Sequence, residues 1–162
     1  MWEKIKPYIK TYIVAIAIPI AVGLLSAFLT KDNMDIYEEL IVPDPAPPSW
    51  LFPIVWTVLY ALMGVSSAMV YAHKATNAEA VRTALTNYGI SLVLNFAWSI
   101  IFFNANAFLL SFLWLVLLFY FIIKTILSYY ITDKRAAYLQ IPYAAWVAFA
   151  GYLNAAIYFL NS

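Results

Sequence analysis

Five long apolar stretches dominate this chain of 162 residues and decide what it can fold into. They are Thr11–Leu29, Trp50–Ala72, Ala84–Phe103, Ala107–Tyr129 and Ile141–Leu160. Each is close to the ~20 residues that an α-helix needs to cross the hydrocarbon core of a membrane. They are too long and too evenly apolar for the strands of a membrane barrel. We predict an all-α integral membrane protein, with one domain over residues 1–162 formed by a bundle of five transmembrane helices.

The composition excludes several classes of function. Hydrophobic residues make up 65% of the chain and charged residues 10%, so water cannot solvate it as a globule. A net charge of +1 gives no electrostatic reason to bind nucleic acid. Cysteine is absent and histidine occurs once, so we expect no metal site. No Asp, Glu or Arg lies within the five apolar stretches, which argues against an ion-coupled transporter.

Residues 30–49 form a long connection between the first two stretches. A loop of about 20 residues in a compact protein is typically functional or disordered. It contains five acidic residues and one lysine. Ile36 with Leu40, and Tyr37 with Ile41, have the i,i+4 spacing of a short amphipathic helix. We predict that this segment is a lid over one mouth of the bundle.

Basic residues predict the orientation in the membrane. An odd number of spans puts the two termini on opposite sides. Seven basic residues fall on the N-terminal side, namely Lys4, Lys6, Lys10, Lys74, Arg82, Lys134 and Arg135. The other side has Lys31 alone, and Lys124 can snorkel to the basic side. The positive-inside rule therefore predicts a cytoplasmic N-terminus, with the lid and the C-terminus outside. The first stretch is too long for a signal peptide, and we expect it to be retained.

The second stretch carries aromatic residues that a plain membrane anchor does not need. Trp56, Tyr60 and Met63 follow i, i+4, i+7 and share one helix face. Trp50 lies at the membrane boundary, where tryptophan is common. Trp56 lies about two turns deeper, and this face predicts a pocket for a flat, apolar molecule.

Two other stretches combine aromatic and polar side chains. In the fifth, Trp146, Ala150 and Asn154 recur every four residues, which leaves room for a ligand or for a neighbouring helix. In the third, Asn95 lies mid-membrane with Trp98 on the same face. A buried amide needs hydrogen-bond partners. Asn95 and Asn154 therefore either bond across helices or orient the polar edge of a ligand.

Two remaining features have simpler interpretations. Ser91, Asn95 and Ser99 recur at steps of four and mark one candidate dimer face. His73 falls at the cytoplasmic end of the second stretch, where we interpret it as a solvated interfacial residue. It is badly placed to ligate a haem iron in the bundle.

Three segments together resemble the translocator protein family, also called TspO, tryptophan-rich sensory protein or peripheral-type benzodiazepine receptor. The matching positions are Pro47-Pro48-x-Trp50, Val55-Trp56, Leu59-Tyr60-x-x-Met63-Gly64, Leu94-Asn95-x-x-Trp98, Phe102-Phe103, Pro142-Tyr143-x-x-Trp146 and Phe149-Ala150-x-x-Leu153-Asn154. The resemblance implies a five-helix bundle, commonly a homodimer in a bacterial cell membrane. It implies binding of porphyrins, haem precursors and benzodiazepine- or isoquinoline-type compounds, with porphyrin as ligand or substrate and no other cofactor.

The resemblance also assigns residues to the pocket. Bacterial members are associated with light- and oxygen-dependent breakdown of protoporphyrin, and their two implicated tryptophans map to Trp56 and Trp146. The positions that map to the ligand pocket are Tyr37, Trp56, Tyr60, Asn95, Trp98, Trp146, Ala150 and Leu153.

This chain departs from the family in two places. The basic residue and the tryptophan that often precede the double proline are replaced by Val42 and Pro45. The cholesterol motif of mammalian members lacks its basic residue, although Leu153 and Tyr158 are present. We therefore do not predict cholesterol transport.

Three functions remain open on the sequence. The leading hypothesis is a membrane receptor or sensor for porphyrin-like molecules, with light-dependent turnover. The alternative is a transporter of porphyrin-like or other apolar small molecules across or between the membrane leaflets. The third is a scaffold whose aromatic residues only pack the bundle.

Overall fold

The computed structural model describes residues 2–162, which fold into helices and connecting loops with no strand among them. The elements are α1 (Trp2–Thr30), α2 (Ile36–Glu39), α3 (Leu51–Tyr71), α4 (Ala78–Ser99), α5 (Phe108–Thr132), α6 (Lys134–Leu139) and α7 (Ile141–Leu160). A π-helical turn, Ile100–Asn104, continues α4. Five segments built on α1, α3, α4, α5 and α7 are long and apolar enough to span a membrane. The predicted all-α bundle of five transmembrane helices is confirmed.

Helices extend beyond the apolar stretches that the sequence predicted: α1 begins at Trp2, well before Thr11, and two loops are shorter than expected. We expected loops over residues 73–83 and 131–140, but α4 begins at Ala78 and the short helix α6 precedes α7. Each start is fixed by a polar side chain. Asn77 Oδ1 accepts a hydrogen bond from the Ala80 amide at 3.3 Å, and Asp133 Oδ1 accepts from the Arg135 amide at 3.0 Å. Capping therefore extends the helices into polar sequence that hydropathy assigned to loops.

The helices α1 and α3 pack backbone against backbone at Gly64. A Cβ atom at Gly64 would lie 2.8 Å from the Ala15 carbonyl oxygen and would overlap the Ile16 backbone. Small residues let transmembrane helices approach this closely. The contact sets the position of α1, which forms one wall of the cavity described below.

Polar side chains tie the other helices together inside the apolar core. Asn87 Nδ2 on α4 donates to Ser128 Oγ on α5 at 3.0 Å, and Gln140 Nε2 before α7 donates to Ser66 Oγ on α3 at 2.7 Å. Because α4 and α5 are joined by a tight turn, they run antiparallel as neighbours, as predicted.

The outer surface of the bundle is apolar. Val93 on α4 is 67% exposed and Leu113 on α5 is 55% exposed, and similar side chains cover the outside of all five spans. Hydrocarbon rather than water must solvate a surface of this extent. The chain is a multi-pass integral membrane protein.

Candidate functional site

A cavity of about 570 Å³ opens under the lid, between α1, α3, the end of α4 and α7. Its size is within the ~300–1,000 Å³ range of small-molecule sites. Its lining is mostly apolar and aromatic, with hydroxyl groups of serine and threonine among the rings.

The wall formed by α3 presents the aromatic face that the sequence predicted. Trp56 and Tyr60 both line the cavity, with ring centroids 5.6 Å apart and planes inclined by 29°. Tyr60 reaches this position because Gly23 on α1 has no side chain. A Cβ there would lie within 3.0 Å of three atoms of the Tyr60 ring. The absence of a side chain at Gly23 therefore determines the position of the Tyr60 ring, and this ring forms the end of the cavity.

A second wall comes from the end of α4 and the π-helical turn that continues it. Trp98, Phe102 and Phe103 line the cavity, with the Trp98 and Phe102 centroids 5.2 Å apart. The π-helical turn adds one residue to the helical repeat at this point, which rotates the final side chains relative to a continuous α-helix. Turns of this kind occur often at functional sites.

Asn154 holds Trp98 in place. Its Oδ1 accepts from Trp98 Nε1 at 3.1 Å and from Ser111 Oγ at 2.9 Å, and its Nδ2 donates to the Phe108 carbonyl at 2.8 Å. Although Asn154 lines the cavity, these bonds occupy both ends of its amide. Of the two roles considered for Asn154, the bond across helices is the one that the structure supports.

Asn95 lies below the cavity rather than on its wall. It is 2% exposed, accepts from the Tyr60 hydroxyl at 3.3 Å and donates to the Tyr143 hydroxyl at 2.7 Å. The amide thus links α4 to α3 and α7 and orients the Tyr60 ring. We expected Asn95 in the ligand pocket, but it supports the pocket from behind.

Asn95 and Ser91 also correct the candidate dimer face. Both are buried inside the single chain, with Ser91 at 1% exposure, and Ser99 lines the cavity. The four-residue repeat of Ser91, Asn95 and Ser99 therefore faces the bundle interior and leaves no surface for a partner.

The lid closes over the cavity through Tyr37, which lies on the four-residue helix α2 and not on a longer one. The Tyr37 hydroxyl donates to the Pro47 carbonyl at 2.9 Å, and its ring meets Phe52 edge-on at 5.1 Å. Burial, and then the neighbouring charge of Glu38, raises the pKa of the Tyr37 hydroxyl above its ordinary value. Ser49 also bonds to Glu38 within the lid.

Asparagines fasten the lid at two points, near its start and at its middle. Asn33 Nδ2 donates to Asn104 Oδ1 at 2.8 Å. Asn161, after α7, pairs with the backbone of Ile41: Oδ1 accepts from its amide at 3.0 Å and Nδ2 donates to its carbonyl at 2.9 Å. The departures Val42 and Pro45 are not among the residues lining the cavity.

The mouth of the cavity is acidic. Asp35 and Glu38 are among the described lining residues, and none of those residues is basic. The mouth therefore repels an anionic group and accepts a neutral or cationic one more readily. Among the described residues, no group of three or more His, Asp or Glu side chains could hold a metal ion.

Six of the eight predicted pocket residues line the cavity: Tyr37, Trp56, Tyr60, Trp98, Ala150 and Leu153. Asn95 lies behind Tyr60, and Trp146, which is partly exposed, packs against Phe52, whose ring centroid is 5.8 Å from it. The sequence analysis missed Phe52, Gly23, Phe102 and Phe103 as lining residues. The two phenylalanines after Trp98 were visible in the motif, but their direction depends on the π-helical turn.

His73 lies at the far end of the bundle from this cavity. Its side chain is 42% exposed, and Nε2 is 3.3 Å from Asp133 Oδ2. Burial on its own would raise the pKa of Asp133, but bonds from His73 and from the Arg135 and Ala136 amides, together with the Arg135 charge, hold it below its usual value. This cluster joins α3 to the start of α6, a structural role.

The fold and the cavity together define a class: a five-span membrane protein with an aromatic cavity beneath the loop that joins its first two spans. A model of the TspO/MBR family matches residues 15–160. The chain belongs to that family.

Relatives match over most of their length. The tryptophan-rich protein TspO of Chlorobaculum tepidum is 38% identical over 154 residues, which covers 94% of this chain and 97% of the relative. The translocator protein of Homo sapiens is 33% identical over 129 residues, covering 80% and 76%. The tryptophan-rich sensory protein of Cereibacter sphaeroides is 29% identical over 144 residues, covering 89% and 85%. The family resemblance found in the sequence is confirmed.

Proposed function

We propose that this chain is a membrane receptor or sensor that binds porphyrins, such as protoporphyrin IX and haem precursors, in the cavity beneath the lid. The observation that carries the proposal is the cavity itself, about 570 Å³ walled by Trp56, Tyr60 and Trp98. A flat ring gains dispersion and stacking from such walls. Benzodiazepine- and isoquinoline-type compounds share this flat, apolar chemistry and occupy the same cavity. The relative named tryptophan-rich sensory protein supports a sensing role.

The ring and the carboxylates of a porphyrin have opposite effects on its binding, because the walls of the cavity are aromatic and its mouth is acidic. The ring favours binding through the aromatic walls, while its carboxylates meet the charges of Asp35 and Glu38. An exposed charge pair contributes up to ~1 kcal/mol. Binding is therefore driven by the ring and opposed by the propionates, and an uncharged diester binds more tightly than the free acid.

We further propose that bound porphyrin is degraded in light and oxygen. An indole is readily oxidised, and Trp56 lies on the cavity wall beside the ring. The excited porphyrin and dioxygen supply the oxidant, so the reaction needs no acid or base from the protein. This suits a site whose lining residues are mostly aromatic and aliphatic.

The orientation and assembly are proposals of the same kind. The N-terminus lies in the cytoplasm of a bacterial cell, and the lid and C-terminus lie outside. The chain forms a homodimer in the lipid of the cell membrane, through a lipid-facing surface that excludes the buried Ser91 and Asn95. Cysteine labelling from each side of the membrane and cross-linking in native membranes test these two statements.

The binding proposal is tested by titrating protoporphyrin IX into the detergent-solubilised protein in the dark and then illuminating it in air. Tryptophan fluorescence reports binding, and porphyrin absorbance reports degradation. Trp56→Phe and Trp146→Phe are compared with Trp114→Phe, a control whose indole donates to the Leu94 carbonyl and does not line the cavity.

We expect saturable quenching in all four proteins, because phenylalanine preserves an apolar ring at each site. Loss of the porphyrin bands beyond that of free porphyrin is expected in the wild type and in Trp114→Phe alone. Quenching without this loss would refute the light-dependent degradation of porphyrin and leave a protein that either only binds porphyrin or transports it. Counterflow of porphyrin in liposomes distinguishes these two functions. Absence of saturable quenching would refute the porphyrin site.

A further inference from the structure

An open groove lies at the other end of the bundle from the aromatic cavity, where α4 begins and α5 ends. Its volume is about 340 Å³. Its lining residues are Asn77, Glu79, Ala80, Thr83, Ser128 and Ile131. The two membrane spans that form it end here, at Ala78 and Thr132. Because the headgroups of phospholipids lie at the ends of transmembrane helices, the groove lies at headgroup depth.

Two polar side chains of the groove have hydrogen-bond donors without an acceptor. The Thr83 hydroxyl makes no hydrogen bond within the described chain, whereas Thr86 and Thr125 each donate to the carbonyl four residues earlier. Asn77 Oδ1 accepts from the Ala80 amide, but Asn77 Nδ2 has no acceptor among the described residues. Both donors are therefore free to bind a ligand in the groove.

Lys124 lies one helical turn from the groove, toward the middle of the membrane. The Ser128 hydroxyl donates to the Lys124 carbonyl at 2.8 Å, and the four-residue spacing puts the two residues on one face of α5. Lys124 is exposed, and no described carboxylate pairs with it. Its ammonium lies over the rings of Tyr120 and Phe121, 5.6 and 5.5 Å from their centroids. A lysine charge at this depth is unfavourable unless it reaches the interface or an anion.

The Lys124 side chain is long enough to reach the groove. Four residues of α-helix rise about 6 Å, so the ammonium comes level with Ser128 when the side chain extends toward the end of α5. The aromatic contact that it gives up is weak, since an exposed cation–π pair contributes about as little as an exposed ion pair. An anion in the groove is therefore within reach of Lys124.

Glu79 adds a negative charge on the water side of the groove. It lies in the first turn of α4, is exposed, and forms no ion pair with a described residue. Thr83 follows one turn deeper, and Lys124 lies deeper still. The groove therefore has a negative charge near the water and a positive charge on the membrane side. A headgroup with its phosphate near the glycerol and an ammonium beyond it has the complementary order.

We propose that this groove is a binding site for phosphatidylethanolamine. The Lys124 ammonium and the Thr83 hydroxyl bind the phosphate, and the Glu79 carboxylate accepts hydrogen bonds from the ammonium of the lipid. Leu127 and Ile131 on α5 are 61% and 77% exposed and contact the acyl chains. The site shares no lining residue with the aromatic cavity and does not depend on a porphyrin.

The same charges select against two related phospholipids. Phosphatidylglycerol has the phosphate but no ammonium, so Glu79 has only a repulsive effect on it. Phosphatidylcholine has a positive charge, but its trimethylated nitrogen has no N–H to donate, unlike a primary ammonium. We therefore expect phosphatidylethanolamine to bind more tightly than either.

The test is native mass spectrometry of the full chain in detergent micelles, titrated with these three lipids carrying identical acyl chains. Lys124→Gln removes the cation, and Lys134→Gln is its control. Lys134 is also exposed, with its ammonium 5.2 Å from the Tyr130 ring centroid, but it follows α5 and does not line the groove.

Two further substitutions test the other contacts. Glu79→Gln removes the anion. Thr83→Val removes the free hydroxyl, and Thr86→Val is its control, because the Thr86 hydroxyl already donates to the Arg82 carbonyl. Unfolding transitions verify that each variant is folded.

We expect one preferred phosphatidylethanolamine per chain. Lys124→Gln is expected to weaken its binding about fivefold, and Lys134→Gln to leave it unchanged. Thr83→Val is expected to weaken binding of phosphatidylethanolamine and phosphatidylglycerol alike, and Thr86→Val to weaken neither. Glu79→Gln is expected to weaken phosphatidylethanolamine and to tighten phosphatidylglycerol, which removes the preference between them.

Three results would overturn the proposal. Equal effects of Lys124→Gln and Lys134→Gln would show that the charge acts only through the general potential of the surface. An unchanged preference in Glu79→Gln would exclude the contact with the lipid ammonium. Equal binding of all three lipids to the wild type, without a preferred stoichiometry, would show that the groove is not a specific lipid site.

Discussion

The close approach of α1 and α3 makes Gly64 sensitive to the smallest possible addition. In Gly64→Ala, the new methyl group would lie 2.8 Å from the Ala15 carbonyl oxygen and 2.8 Å from Ile16 Cγ1, and would overlap the Ile16 backbone. A flexible side chain can rotate away, but a helix backbone cannot, so α1 must shift as a unit. Overpacking of this kind costs about 1–3 kcal/mol.

Two other helical glycines provide matched controls. A Cβ at Gly89 on α4 or at Gly151 on α7 would have no neighbour within 4 Å. Alanine is favoured over glycine in a helix by up to ~1 kcal/mol, and this gain is common to all three substitutions. The difference between Gly64→Ala and either control therefore isolates the packing term, about 1–3 kcal/mol against Gly64→Ala.

The assay is reversible unfolding in mixed detergent micelles with increasing sodium dodecyl sulfate, followed by circular dichroism. We expect Gly64→Ala to unfold at a lower denaturant fraction than the wild type, and Gly89→Ala and Gly151→Ala to unfold at the same fraction or a higher one. If Gly64→Ala is as stable as the two controls, α1 and α3 do not pack in the way described.

Three further predictions concern the ends of the bundle and the lid. Asp133→Ala is expected to lose about 1 kcal/mol of stability at neutral pH, as capping residues do. The folded-state pKa of Asp133 is lowered, so its contribution to stability is complete above the ordinary aspartate pKa of about 4 and disappears as the pH falls through the folded-state pKa. The stability lost in Asn77→Ala, which removes an uncharged cap, does not change with this titration. Glu38→Gln is expected to tighten binding of protoporphyrin IX by up to about fivefold without changing the affinity of its dimethyl ester, as measured by fluorescence titration. Asn161→Ala removes two hydrogen bonds to the Ile41 backbone, so we expect faster hydrogen exchange of the Ile41 amide and faster dissociation of the ligand. An unchanged exchange rate would show that Asn161 does not hold the lid.

The bundle and one wall of the site could be predicted from the sequence because both depend on local periodicity. Hydropathy located the five spans, and the four-residue spacing of Trp56 and Tyr60 put both rings on one wall. The helix starts were missed because hydropathy does not register a cap such as Asn77.

Sequence periodicity failed where a side chain's surroundings depend on other helices. Ser91 and Asn95 share a face, but in a membrane helix the inner and outer faces are both apolar, and the repeat alone could not assign this face to the interior. Phe52 and Trp146 are far apart in sequence. Their contact depends on how the lid turns into α3, and no pattern within either helix contains that information.

The central claim is that a flat ring binds inside the cavity, and filling the cavity tests it most directly. Ala150 lines the cavity, while Ala148 on the same helix is exposed to lipid. We would measure the dark binding isotherm of protoporphyrin IX for the wild type, Ala150→Phe and Ala148→Phe. The account predicts that Ala150→Phe loses saturable binding and that Ala148→Phe binds as the wild type does. Undiminished binding to a folded Ala150→Phe would place the ligand elsewhere and contradict the account.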